Sequence, residues 1–163
     1  MMSNRRFGAD YSTCGLYRYS LWRSWDDNAG TILWIMLNPS RADHLGNNDP
    51  TIERCERRSV AWGFGRMEVV NLFALRSPYP KALREAGDPV GPLNDIGIVD
   101  GAGRASLILC AWGAHGGLKG RADEVRGLLA GRSLHCLGMT QSGEPAHPLY
   151  LSYGRRPIPY GRE

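Results

Sequence analysis

The sequence lacks any long apolar run. A membrane-spanning helix needs roughly 18 or more apolar residues in succession, and no stretch of the chain approaches that length. The opening residues, MMSNRRFGADYSTCG, contain no hydrophobic stretch of signal-peptide length. We therefore expect a cytoplasmic protein without a membrane partner.

Cysteine is scarce, and its four occurrences are widely separated: Cys14, Cys55, Cys110 and Cys136. They form no CxxC pair, and no histidine lies at zinc-ligand spacing. This pattern predicts buried free thiols, no metal and no cofactor. The alternative, an iron–sulfur cluster, would require the fold to bring distant cysteines together.

The common nucleotide-binding fingerprints are missing as well. The glycines near Gly113 do not form GxxxxGK[ST], and nothing after the first buried apolar run resembles GxGxxG. Nucleotide hydrolysis is therefore disfavoured. A serine–histidine–aspartate arrangement can be drawn with Ser40 and His147, but Ser40 lacks the GxSxG elbow that exposes such a nucleophile.

What the chain does have is an ordinary globular composition. Its 163 residues, with 42% hydrophobic and 22% charged side chains, predict one domain spanning residues 1–163. The formal net charge of +4 permits contact with phosphate without demonstrating it. The arginines, among them Arg155 and Arg156 near the end, fit either nucleic-acid contact or an ordinary solvated surface.

Apolar runs alternate with helix signals along the chain. The predicted buried strands are residues 31–37, 67–72, 105–112 and 133–137, and the predicted helices span residues 49–62, 92–104 and 121–129. Residues 16–22 alternate like a strand and are predicted to form an N-terminal hairpin with residues 31–37. The β/α alternation predicts an α/β fold, a three-layer sandwich around a mostly parallel central sheet.

Ligands of open α/β sheets bind beyond the carboxyl ends of the strands, where this chain places unusual residues. Asn38 and Asn71 each follow a strand, and an amide can read a nucleobase edge or orient a water. The alternative is that both amides satisfy nearby backbone groups.

A histidine and two aspartates complete the candidate chemistry. His147 precedes a proline, so an extended backbone could project its imidazole toward a developing anion, although surface histidines are more common. Asp43 and Asp49 could hold a water or a metal, but Asp49 before Pro50 is already explained as a helix N-cap.

Six motifs in order resemble a bacterial and phage family catalogued as domain of unknown function 1643. The motifs are CGLYRYSLWR, LNPSRADHLGNNDPTIERC, VVNLFALR, GPLND, AWG and HPLYLSYG. The likeness spans nearly the whole chain and implies no established reaction.

Four of these motifs also resemble, more distantly, the uracil-DNA glycosylase superfamily, which implies a parallel-sheet α/β fold. By this resemblance Asn38 would position the attacking water and Asn71 would read the flipped base. Ala111-Trp112-Gly113 is similar to the strand and glycine that precede the last catalytic segment, and His147 would stabilise the departing base. Leu149 and Tyr150 replace the small residues of that histidine loop, and Asn38 replaces the carboxylate of the most active members.

The combined prediction is a nucleobase-recognising enzyme that hydrolyses an N-glycosidic bond. Beyond the catalytic pair Asn38 and His147, the predicted substrate-binding residues are Asn71, Phe73, Asp43, Ser40, Trp112, Gly113 and Tyr150. Phe73, Trp62 and Tyr150 are available to stack on a base. Two alternatives stay open: a module that binds a modified base or nucleic acid without chemistry, and an enzyme that acts on free nucleosides or nucleotides.

Overall fold

The computed structural model describes residues 4–161 as an α/β fold built on one mixed sheet. The strands are β1 (Arg6–Tyr11), β2 (Arg18–Ser24), β3 (Thr31–Met36), β4 (Arg66–Asn71), β5 (Leu107–Cys110), β6 (Leu134–Cys136) and β7 (Ile158–Tyr160). The helices are α1 (Pro50–Ala61), α2 (Pro80–Glu85), α3 (Asn94–Arg104) and α4 (Arg121–Leu128), with 3₁₀ segments at Ala114–Gly120 and Pro148–Tyr150.

The sheet has the strand order β1-β2-β4-β3-β5-β6-β7. Its centre, β4-β3-β5-β6, is parallel, whereas β1 and β2 on one side and β7 on the other pair antiparallel. The prediction of a mostly parallel sheet is therefore wrong, since the sheet is mixed. The edge strands were hard to foresee because β1 contains glycine and two charges and β7 contains proline, residues that are depleted in strands.

The predicted hairpin also needs correction. β2 pairs with β1 and β4 and does not pair with β3. The helical crossover through α1 sets β4 parallel to β3 and between β3 and β2. The N-terminal hairpin is thus formed by β1 and β2.

Helices cover both faces of the sheet, giving three layers. Side chains of β3 alternate between the two apolar cores: Leu33 and Ile35 face the core under α3 and α4, and Trp34 faces the core under α1. The prediction that β3 is buried on both faces is confirmed, because all its residues after Thr31 are buried.

The other local predictions have mixed outcomes. Asp49 caps α1 by accepting a hydrogen bond from Ile52 N at 2.9 Å, as predicted. The cysteines are free, but Cys14 is exposed, so the prediction of buried thiols holds only for the other three. Within residues 4–161, no helix is long and apolar enough to cross a membrane.

Candidate functional site

A cleft of about 1240 Å³ opens at the carboxyl ends of β3, β4 and β5. Because these strands are parallel, the segments that follow them converge on one edge of the sheet. Seven of the predicted site residues line the cleft: Asn38, Ser40, Asp43, Asn71, Trp112, Gly113 and His147. The cleft is therefore lined by residues from the segments that follow β3, β4, β5 and β6.

Asn71 is the most unusual polar residue of the cleft. It ends β4 and is only 1% exposed, yet neither Nδ2 nor Oδ1 has a hydrogen-bond partner within residues 4–161. Its backbone is fixed by Asn94, whose Nδ2 donates to the carbonyls of Asn71 at 2.9 Å and Leu72 at 3.1 Å. Buried amides are rarely left unsatisfied, so both groups of Asn71 are available to hydrogen-bond a molecule that enters the cleft.

Asn38 lies in the loop after β3 and is half-buried. Its Nδ2 donates to the carbonyl of Ser77, which fixes the orientation of the amide. No donor to Oδ1 of Asn38 is found among the described residues, so this oxygen can accept a hydrogen bond from a bound water.

The two aspartates of the cleft are engaged in holding the same loop. Asp49 accepts from Ala42 N as well as Ile52 N, which ties the loop to the start of α1. Asp43 accepts from Leu45 N, from Asn47 N and from Asn47 Nδ2. The hydrogen bond from the Asn47 side chain lowers the pKa of Asp43. The described part of the chain contains no cluster of three or more metal-ligating side chains.

His147 presents a defined tautomer to the cleft. Its Nδ1 accepts a hydrogen bond from Leu149 N at 3.2 Å, so the proton of the neutral imidazole resides on Nε2. Burial lowers the pKa of His147, and the charge of Asp49 opposes this shift. At neutral pH the side chain is therefore an uncharged Nε2–H donor.

The loop after β5 packs against the histidine loop. Gly113 has φ of +80°, a backbone conformation that favours glycine, and its backbone lies against the side chain of His147. Gly113 N donates to Pro145 O at 2.9 Å, and Trp112 Nε1 donates to Glu144 at 2.8 Å. These contacts fix the segment that leads into His147.

Two arginines of α1 hold the other side of the histidine loop. Arg54 donates to the carbonyls of Pro148 and Leu151, and Arg58 donates to the carbonyls of Pro148, Leu151 and Ser152. Both guanidinium groups also lie over the ring of Tyr153, at 4.5 and 4.8 Å from its centroid. Neither Arg54 nor Arg58 was among the predicted site residues.

Three further arginines line the cleft and were not predicted as site residues: Arg18, Arg41 and Arg76. Arg76 Nη1 donates to Gly15 O at 2.9 Å, and its guanidinium lies 4.8 Å from the ring centroid of Tyr11. Arg18 lies within the family motif CGLYRYSLWR, but the alternating apolar residues of this motif predicted only a strand.

The structure does not bring every predicted residue to the cleft. Phe73 is fully buried in the core under α3 and α4, and Trp62 stacks on Trp34 with ring centroids 5.9 Å apart. Tyr150 is 89% exposed and lies outside the cleft lining. Arg155 and Arg156 are exposed and also lie outside that lining, and Arg155 donates to the carbonyl of Leu137.

Comparison with family models relates the chain to a known family. A family model described as a protein of unknown function, DUF1643, matches residues 18–149, which include β2 and every predicted site residue before Tyr150. The search of curated proteins and the search of solved structures each found no match.

Proposed function

We propose a function from the cleft itself, because the chain belongs to the DUF1643 family of proteins of unknown function, whose description names no reaction. The cleft binds a nucleobase and hydrolyses its N-glycosidic bond, in the manner of the uracil-DNA glycosylase superfamily. The observation that carries this proposal is the buried, unpartnered amide of Asn71.

An amide that is free at both Nδ2 and Oδ1 offers one donor and one acceptor side by side. Nucleobases present such donor and acceptor pairs along their edges, so a single asparagine can make two hydrogen bonds to one base. Occupation by a base would satisfy both buried groups of Asn71 at once. The cleft volume of about 1240 Å³ exceeds what one base needs and leaves room for the attached sugar.

The proposed reaction breaks the bond between the sugar C1′ and the base nitrogen. The base departs with the bonding electron pair, and a water oxygen adds to C1′. The water proton passes through solvent to the departed base, so the products are the free base and a sugar hydroxyl. Asn38 orients this water through Oδ1, while its Nδ2 stays on the Ser77 carbonyl.

His147 supports departure of the base without transferring a proton. Its neutral Nε2–H can donate to the negative charge that develops on the base, since Nδ1 is already occupied by Leu149 N. Four motifs of the chain resemble motifs of the uracil-DNA glycosylase superfamily, and residues of these motifs converge on one cleft. Both observations further support the proposal.

The test uses purified protein and two substrate sets. The first is oligonucleotides with a single uracil, hypoxanthine, xanthine or modified pyrimidine, analysed by alkaline cleavage and gel electrophoresis. The second is the corresponding free nucleosides and nucleotides, analysed by chromatography for released base. Base release should fall at least about 100-fold in Asn38→Ala and His147→Ala. Calorimetry measures binding of the same substrates to the wild type and to Asn71→Ala. Asn28→Ala, in an exposed turn away from the cleft, is the matched control and should retain full activity.

The outcomes separate the candidate functions. Base release from either substrate set that is lost in the cleft variants and kept in Asn28→Ala supports the proposal. Base-selective binding that depends on Asn71 but gives no product would replace the enzyme with a recognition module. Absence of both binding and product across the two sets would overturn the proposal.

A further inference from the structure

Arg18, the first residue of β2, is a buried cation that forms no salt bridge within residues 4–161, although the charge of Asp49 acts on it from a greater distance. It is 1% exposed and lines the cleft. Its Nη1 donates to Ala42 O at 3.0 Å, its Nε has no partner, and no carboxylate forms a salt bridge with it within the described residues. A guanidinium carries five N–H donors, so most of the hydrogen-bonding capacity of Arg18 is unused.

Other buried arginines of this protein are better satisfied. Arg121 donates to Leu72 O and forms salt bridges with Asp95 and Glu124. Arg58 also has an unpartnered Nε, but its two Nη atoms donate to backbone carbonyls of the histidine loop. Neither Arg58 nor Arg121 lines the cleft. Arg18 alone of these three combines burial, missing partners and a place in the cleft.

Arg18 and Asn71 lie at the same edge of the sheet. β2 and β4 are adjacent and antiparallel, with Leu21 opposite Val69. The start of β2 is therefore beside the end of β4, and neighbouring strands are about 4.8 Å apart. A ligand group on Arg18 and a base on Asn71 can thus belong to one molecule of nucleotide size.

The surroundings of Arg18 favour an anion. Arg41 and Arg76 also line the cleft, against two carboxylates, Asp43 and Asp49, which already accept backbone N–H bonds. Burial lowers the pKa of Arg18 to about 10, so the side chain is still a cation at neutral pH. A buried cation without a direct salt bridge is costly, and an anionic ligand group in contact with Arg18 would reduce that cost.

We propose that Arg18 binds a phosphate group of the nucleotide whose base is read by Asn71. The identity of the ligand as a nucleotide rests on the proposed function, whereas the anion site rests on Arg18 itself. The planar guanidinium can donate two parallel hydrogen bonds to phosphate oxygens. The phosphate of a free nucleotide and an internal phosphate of a single strand share this chemistry.

The experiment measures binding by calorimetry to inorganic phosphate, to nucleosides and their 5′-monophosphates bearing the common bases and hypoxanthine, and to a five-nucleotide single strand. The proteins are the wild type, Arg18→Met, Arg18→Lys and Asn71→Ala. Arg84→Met, which removes an exposed arginine from α2, is the control. At least one monophosphate should bind the wild type about tenfold or more tightly than its nucleoside. Arg18→Met should lose that difference, Arg18→Lys should keep part of it, and Arg84→Met should keep all of it.

Thermal unfolding without ligand shows whether the variants are folded. Arg18→Met should melt at or above the temperature of the wild type, because it removes an uncompensated buried charge. A strongly lowered melting temperature in both Arg18→Met and Arg18→Lys would show a purely structural role and overturn the proposal.

The remaining outcomes are distinct for the two proposals. Arg18-dependent phosphate binding without any effect of Asn71→Ala on base preference would keep the anion site and overturn base reading. Asn71-dependent base binding with equal affinity for nucleoside and monophosphate would keep base reading and overturn the phosphate site. Arg18-dependent binding that is tighter for the single strand than for every monophosphate would identify the phosphate as an internal one. No binding of any probe by the wild type would overturn the phosphate site.

Discussion

Arg18 and Arg23 lie near opposite ends of β2, and both are buried, yet their surroundings differ sharply. Arg23 donates through Nε to Asn48, through Nη1 to Trp22 O, and through Nη2 to the carbonyls of Asp43 and Asn47. Among residues 4–161, the side chain of Arg18 has one acceptor, the carbonyl of Ala42. One strand thus carries an arginine that donates through all three side-chain nitrogens and an arginine that donates through one.

The difference between Arg23 and Arg18 indicates two roles for a buried cation, one in stabilising the fold and one in binding a ligand. Arg23 holds the loop between β3 and α1 in place, so its bonds belong to the folded state with or without ligand. Arg18 makes one hydrogen bond to the same loop, and its remaining N–H groups have no acceptor within the described residues. Residues that are poorly satisfied in the empty protein are expected at binding sites, where stability is lower than it could be.

The largest effect is expected for Arg23→Met. Removal of this guanidinium leaves the Asn48 oxygen and the loop carbonyls without their donor. We expect the free energy of unfolding to fall by about 3 kcal/mol. Urea unfolding followed by tryptophan fluorescence measures it, with exposed Arg84→Met as the control. A loss below about 1 kcal/mol would mean that Arg23 is not the structural member of the pair.

Arg18→Met should act in the opposite direction. Methionine fills a similar volume without a charge, so we expect the free energy of unfolding to rise by about 1.5 kcal/mol in the absence of ligand. The same urea measurement applies. If Arg18→Met destabilised the protein as much as Arg23→Met does, the contrast between the two arginines would disappear.

A smaller loss is expected for Asp49→Ala, which weakens the loop that both arginines contact. The N-cap of α1 and the bond from Ala42 N are lost together, at about 1 kcal/mol. Thermal unfolding of Asp49→Ala, with Asp49→Asn as the milder variant, checks this. An unchanged melting temperature in Asp49→Ala would show that the arginines hold the loop without the cap.

The smallest effect concerns pH and the half-buried side chain of His147. Burial lowers its pKa below 6.5 in the folded state, so the unfolded chain binds the proton more readily. The contribution of His147 to stability should therefore decline as pH falls below about 6.5. NMR titration of the imidazole, assigned by comparison with His147→Gln, should give a midpoint below 6.5. A midpoint above 6.5 would show that Asp49 outweighs burial.

The sequence was informative where a pattern is local. The continuous apolar run of β3 and the Asp49-Pro50 cap predicted a strand and a helix that the structure contains, and the family motifs predicted the family. The edge strands β1 and β7 were missed because both contain residues that are depleted in strands, glycine and aspartate in β1 and proline in β7.

The site was predicted only in part for a related reason. Residues directly after the strands can be placed at the sheet edge from the chain alone, which is why Asn38 and Asn71 were found. The burial of Arg18 depends on β2 lying beside β4, and the sequence suggested β3 as the partner of β2. Phe73 was taken for a stacking surface, but the helices above β4 enclose it in the core.

The attachment of two cleft loops to α1 has a consequence for how the molecule opens. Asp49, the N-cap of the helix, bonds the loop that follows Asn38, and Arg54 and Arg58 bond the segment that follows His147. Local unfolding of α1 would release both segments in a single event. Hydrogen exchange at Ala42, in α1 and at Leu151 should therefore be correlated, as one cooperative unit.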